Sequence, residues 1–158
     1  MANIGEHAPD FLGKLTNGND VKDFRLSVYL GKENIVLAFI FGCFTGVCTA
    51  EMCAFRDSLK EFENLGAKVY GISVDTPYTQ NAFIKANALT TEMVSDFNKE
   101  AIRAFGVVHE EINGLKGMPK RSVFIIGKDG KIKYKWVSEV PKNPPNFDEL
   151  KSELKKLH

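Results

Sequence analysis

Three cysteines fall in one short stretch, GCFTGVCTAEMC, as Cys43, Cys48 and Cys53, each five residues from the next. Their number and parity do not suit a disulfide framework, and gaps of five do not match ordinary zinc-ligand spacing. His7, His109 and His158 are dispersed along the chain and add no metal pair. A C-x-x-C redox pair of the thioredoxin type is also absent. The chemistry left to these residues is nucleophilic. Cys48 stands where an apolar run has ended and a helical pattern begins, so the unpaired N–H groups and positive dipole end of the first turn favour an anionic sulfur there. The other reading makes Cys48 a small core residue of the helix's apolar stripe. Thr45, three residues earlier, is placed to cap the helix and to offer its hydroxyl to a molecule bound over the sulfur.

The elements that must position these groups follow from periodicity. Ile35 to Phe41 (IVLAFIF) is a short, continuously apolar run rich in branched and aromatic residues, which predicts a central strand buried on both faces. Cys48, Met52, Phe55, Leu59 and Phe62 then recur at helical spacing, with Gly66 as a left-handed stop. Lys68 to Asp75 (KVYGISVD) predicts a second strand, with Val69, Gly71, Ser73 and Asp75 on one side and Tyr70, Ile72 and Val74 on the other. Strand, helix and strand in that order give a crossover with parallel pairing. Thr76 and Pro77 open a further helix that carries Phe83. A short strand is expected near Met93, then a helix capped by Asp96 that runs through Ile102 and Phe105 to Gly106. Ser122 to Gly127 and Lys131 to Val137 flank Asp129-Gly130 as a hairpin. Asn146 caps a last helix with Phe147, Leu150, Leu154 and Leu157 as its buried stripe.

Composition bounds the partners. With 158 residues and 44% hydrophobic side chains, the chain suits a single α/β domain over residues 1–158. A net charge of +1 gives no basic footprint for nucleic acid. The N-terminus, MANIGEHAPDFLG, has no signal-peptide pattern, and no apolar run approaches the roughly 20 residues of a membrane span. A soluble, cytoplasmic protein without a membrane partner is expected. No glycine-rich phosphate loop follows the first buried strand, which disfavours a dinucleotide cofactor.

The segment FTGVCTAEMCAFRDSL (residues 44–59) resembles the active-site segment of peroxiredoxins, the alkyl hydroperoxide reductase and thiol-specific antioxidant family. GEHAPDF, GISVDTPYTQNAF, the FGV of residues 105–107 and MPKRSVFIIGKDGKI resemble further family blocks in the same order. The resemblance implies a thioredoxin-like fold, a mixed central sheet flanked by helices with N-terminal additions. It implies a thiol-dependent peroxidase that reduces hydrogen peroxide and organic hydroperoxides without a bound cofactor or metal. Cys48 then becomes the peroxidatic cysteine, oxidised to a sulfenic acid, and Thr45 the threonine that hydrogen-bonds peroxide and thiolate. Arg121 matches the family arginine that holds the thiolate, although alone it reads as an exposed sheet-edge charge. Glu51 either orients that arginine or is an ordinary acid near a helix start.

Spacing to Cys53 matches the bacterioferritin-comigratory branch, in which the second cysteine resolves the first as an intramolecular disulfide. On an intact helix five residues advance about 7.5 Å and about 500° of turn, so the helix start must unwind before that bond forms. The alternative is a one-cysteine enzyme resolved by an external thiol, or a non-catalytic redox-signalling or chaperone module of the same fold. Cys43 reads mainly as packing. A thioredoxin-like or other dithiol donor and a homodimer or higher homo-oligomer are the implied partners. One family position departs: Phe41 stands where the family has a proline, seven residues before Cys48.

Overall fold

The computed structural model describes residues 2–157. In chain order they form β1 (Leu12–Thr16), β2 (Val21–Arg25), α1 (Leu26–Tyr29), β3 (Asn34–Phe39), α2 (Gly46–Asp57) and α3 (Leu59–Asn64). There follow β4 (Ala67–Ser73), α4 (Pro77–Ala86), β5 (Glu92–Ser95), α5 (Glu100–Phe105), β6 (Val108–His109) and β7 (Met118–Pro119). The chain closes with β8 (Ser122–Ile126), β9 (Ile132–Val137) and α6 (Phe147–Lys155). His158, one of the dispersed histidines, lies outside the described residues.

One seven-stranded sheet runs in the order β2-β1-β5-β4-β3-β8-β9. β3 and β4 pair in parallel, as do β4 and β5, whereas β8 runs antiparallel to β3 and β1 antiparallel to β5. This is the expected mixed sheet of a thioredoxin-like fold, extended at one edge by the β1–β2 hairpin. Every residue of β3 is buried because both faces are covered. Ile35, Leu37 and Phe39 pack on one side with Phe24, Tyr70, Phe105 and Phe124. Val36, Ala38 and Ile40 pack on the other with Cys48, Met52, Phe55, Phe83 and Leu150. α2 therefore lies on the second face. Gly71 on β4 permits its close approach, since a Cβ there would stand 2.7 Å from Met52 Cε.

Local signals set most boundaries. Thr76 Oγ1 accepts the Thr79 N–H at 3.2 Å with Pro77 at the first helical position, and Asn146 Oδ1 accepts the Glu149 N–H at 3.0 Å. The expected helix through Phe62 is interrupted at Ser58, where α2 gives way to α3; Asp57 and Ser58 are both weak helix formers. Asp96 does cap α5, but from outside it: Lys99 occupies the cap position in a left-handed conformation, and the Asp96 carboxylate reaches over to accept the N–H groups of Ala101 and Ile102 at 2.9 and 3.0 Å. Leu59, Phe147 and Leu157 are half-buried, not fully buried, because each lies near a helix end.

Candidate active site

Cys48 is the third residue of α2 and has no exposed surface. β3 ends in the interior of the sheet, residues 40–45 turn the chain, and α2 starts there with Cys48 in its first turn. Arg121 comes from the neighbouring strand, immediately before β8, whose Ser122 pairs with Phe39 at the end of β3, seventy-three positions away in sequence from Cys48. Its Nη2 donates to Cys48 Sγ at 2.9 Å. The expected alternative of an exposed sheet-edge charge is thus corrected: Arg121 is 1% exposed. It is buried because it has partners. Nε donates to the Pro141 carbonyl at 2.6 Å and Nη1 to Glu51 Oε2 at 3.3 Å, while its own carbonyl accepts the Ser138 N–H at 2.9 Å. A planar guanidinium with divergent donors satisfies all three acceptors at once, which an ammonium does not.

Of the two readings of Glu51, the structure selects the one in which it contacts the arginine, one turn beyond Cys48. Burial pushes its carboxyl up to about 8, and Arg121 pulls against that rise without cancelling it. Its second oxygen, Oε1, has no protein partner. Glu51 also lines a half-open groove of about 480 Å³ along α2, with Val47, Ala50 and Ala54 on one side and Pro145 and Phe147 on the other. Residues 47, 50, 51 and 54 are one helical face, adjacent to the face that carries Cys48. A larger cavity, about 580 Å³, is lined by β1, β2 and the turn before α5, on elements that do not carry the sulfur.

Thr45 occupies the cap position of α2, as expected, but its hydroxyl does not cap the helix. It donates to the Gly42 carbonyl at 2.8 Å, because the chain folds back sharply through Phe44, whose φ of 66° is left-handed. The first amides of α2 are consequently left free of that hydroxyl. Phe41 packs its ring edge against His109 at 6.3 Å between centroids, and Phe44, exposed, rests on Phe83 at 5.2 Å.

The other two cysteines are free thiols in different surroundings. Cys53 lies within unbroken α2, and its Sγ is 4.0 Å from Asn87 Oδ1 at the end of α4. Cys43 lies in the loop before α2, its N–H donating to Asp75 Oδ2 at 2.9 Å and its Sγ 3.8 Å from Ser73 Oγ. Sequence reasoning assigned no part to Pro141, Ser73 or Asp75. The last two carried a signal, since they share one face at the exit of a strand that is otherwise apolar; a backbone carbonyl such as that of Pro141 leaves none. Among the described residues no group of three His, Cys, Asp or Glu side chains is arranged to hold a metal ion.

Comparison with known proteins identifies the family and fold to which the chain is similar. The profile of the AhpC/TSA family matches residues 4–135. A chloroplastic 2-cysteine peroxiredoxin of Chattonella marina var. antiqua is 34% identical over 144 residues, which cover 87% of this chain and 71% of that protein. The chloroplastic 2-Cys peroxiredoxin BAS1 of Spinacia oleracea is 32% identical over 145 residues, and the chain spans about half of it, 53%. The crystal structure of the peroxidoxin BcpB of Mycobacterium tuberculosis superposes with a TM-score of 0.85 at 29% identity, covering 100% of this chain and 99% of that one.

Proposed function

The chain belongs to the AhpC/TSA family, and from that membership we propose that it is a thiol-dependent peroxidase whose nucleophile is Cys48. The observation that carries the reading is the 2.9 Å contact between Arg121 Nη2 and Cys48 Sγ, two side chains with almost no exposed surface. A fixed cation at that distance favours the thiolate, which is the attacking form, and it is already in place for charge that moves onto the departing oxygen.

In the proposed reaction Cys48 Sγ attacks one oxygen of hydrogen peroxide or an organic hydroperoxide. The O–O bond breaks, water or an alcohol leaves after taking a proton, and sulfur is left as a sulfenic acid. Thr45, held by Gly42, presents its hydroxyl oxygen as an acceptor for the peroxide proton, and the free amides of Gly46 to Cys48 offer donors to its oxygens. The groove along α2, apolar at Val47, Ala50, Ala54, Pro145 and Phe147 and charged at Glu51 and Lys142, suits the organic part of a hydroperoxide. A second thiol then converts the sulfenic acid to a disulfide, which a thioredoxin-like dithiol donor reduces. A donor of that kind requires a reducing compartment, and the cytoplasm is the one proposed for this protein. Placement in the bacterioferritin-comigratory branch would give the second thiol to Cys53. One observation weighs against Cys53 in that role: it sits in unbroken α2 against Asn87.

Cys48→Ser tests the assignment. The variant is expected to lose peroxide consumption in the presence of excess dithiol, while Cys53→Ser with an external thiol retains it. A Cys48→Ser protein that consumed peroxide at the original rate would refute the proposal.

A further inference from the structure

Cys43 has neighbours that packing alone does not call for. Its sulfur stands 3.8 Å from Ser73 Oγ, and that hydroxyl already accepts from Gln80 Nε2 at 2.9 Å. Gln80 is fixed in turn: its Nε2 also donates to the Val94 carbonyl at 2.9 Å, and its Oε1 accepts from Thr16 Oγ1 at 2.9 Å. Thr16, Ser73 and Gln80 have no exposed surface. With Gln80 donating to it, the Ser73 hydroxyl keeps its own proton for the Cys43 sulfur. Asp75 stands nearby: its Oδ2 accepts the Cys43 N–H at 2.9 Å, and its charge acts on the thiol. Cys43 thus lies beside a carboxylate that could take its proton and beside a hydroxyl able to donate to the resulting thiolate. It also packs against the buried cluster that contains Cys48.

We propose that Cys43, and not Cys53, is the thiol that converts the Cys48 sulfenic acid to a disulfide, with Asp75 accepting the Cys43 proton. The proposal rests on Cys48 being the peroxidatic residue. In this step the S–H proton passes to Asp75 and Cys43 Sγ attacks Cys48 Sγ. The S–S bond forms as the S–O bond breaks, and hydroxide leaves, taking a proton to become water. Cys43 sulfur is oxidised and the sulfenic sulfur reduced, so no co-reactant beyond the peroxide already consumed is needed.

Chain geometry favours this partner. Cys43 and Cys48 are joined through residues 44 and 45, which are not helical, and through only the first turn of α2. The loop is held by the Thr45 hydroxyl on Gly42 and by the Cys43 N–H on Asp75. Bringing Cys53 to Cys48 would instead unwind the helix that seats Met52 and Phe55, both without exposed surface, in the core. In the resting enzyme, burial and Asp75 push the Cys43 thiol upward, so it stays protonated and is spared direct attack by peroxide.

The test is peptide mapping of the full chain after one equivalent of hydrogen peroxide and alkylation under non-reducing conditions. Cleavage after Phe44 and after Glu51 separates all three cysteines. A Cys43–Cys48 link is expected in the wild type and in Cys53→Ser. In Cys43→Ser, a sulfenic acid on Cys48 should persist and be trapped by dimedone. Asp75→Asn should slow disulfide appearance by about 10²-fold, the usual scale for a lost proton acceptor. A Cys48–Cys53 link in the wild type, or disulfide formation at the original rate in Cys43→Ser, would overturn the proposal. Absence of Cys48 oxidation in every protein would overturn the peroxidase reading, and this proposal with it.

Discussion

Replacing Arg121 by Met keeps most of its volume and removes its charge, which isolates the electrostatic part of the proposed reaction. At 2.9 Å from the sulfur a unit charge attracts an anion by about 6 kcal/mol if the effective permittivity is about 20. That figure is a ceiling, because the same guanidinium also serves Glu51 and Pro141. Loss of one preorganised donor to a developing charge ordinarily costs about 3–4 kcal/mol, or about 10² to 10³ in rate. The second-order rate constant for hydrogen peroxide is therefore expected to fall by about 10²- to 10³-fold in Arg121→Met. Arg121→Lys should lie between, since an ammonium keeps the charge but does not span all three acceptors. Trp136, the single tryptophan, packs against the core that contains Cys48 and supplies the signal for stopped-flow measurement. Because a buried pair is broken, thermal unfolding must accompany the kinetics; a loss of about 3 kcal/mol is compatible with a folded variant. A folded Arg121→Met protein that reacted within about threefold of wild type would refute the reasoning, since a donor at this position is worth far more.

Two further substitutions probe the pocket's support. Burial raises the Glu51 carboxyl from 4.5 to about 8, so the native chain keeps a proton that the unfolded chain releases between those values. Stability should therefore fall as pH rises through that window and level off above it, by a few kcal/mol at about 1.4 kcal/mol per pH unit. Glu51→Gln has no such proton to lose, so its stability advantage in urea titrations should grow from pH 5 to pH 8; parallel profiles would exclude a buried, protonated Glu51. Phe41→Pro restores the family residue but removes the ring contact with His109, worth about 0.5–1.5 kcal/mol. It is expected to lower thermal stability modestly and to change the peroxide rate constant; identical kinetics would show that residue 41 does not shape the pocket.

What could be read from the sequence was what short-range chemistry determines. Thr76-Pro77, Asn146 and Asp129-Gly130 act on backbone groups a few residues away, and each element they bound is where periodicity predicts it. The β1–β5 pairing and the small β6–β7 ribbon arise from contacts between distant segments and left no local pattern. Thr45 shows how a local rule is overridden. A threonine before a helix ordinarily caps it, yet the left-handed turn at Phe44 brings the Gly42 carbonyl within reach, and the hydroxyl donates there. Burial of Arg121 was invisible for a related reason: its three acceptors come from α2 and from the segment after β9, so nothing near residue 121 marks it as anything but a surface charge. Cys43 was partly legible: Ser73 and Asp75 share a face at the exit of a strand expected to pair in parallel with β3, but no pattern near residue 43 marks the contacts they make to it.

The charge balance of the pocket links these residues. Arg121 faces two acidic groups, Cys48 and Glu51, with a single positive charge, and all three side chains are nearly without exposed surface. If both acids were ionised, the site would hold an uncompensated buried anion, which is costly for side chains with almost no exposed surface. Only one of them can take the charge cheaply. Burial pushes the Glu51 carboxyl up, which makes it the weaker claimant on that charge: it accepts a hydrogen bond from Nη1 and fixes the guanidinium's plane beside the sulfur. Hydrogen peroxide is small and uncharged, so a long-range field would do little to guide it, and a chain of net charge +1 provides almost none. Electrostatics matters here only at contact distance, where sulfur and the departing oxygen carry changing charge, and there one buried arginine with a buried carboxyl behind it is sufficient.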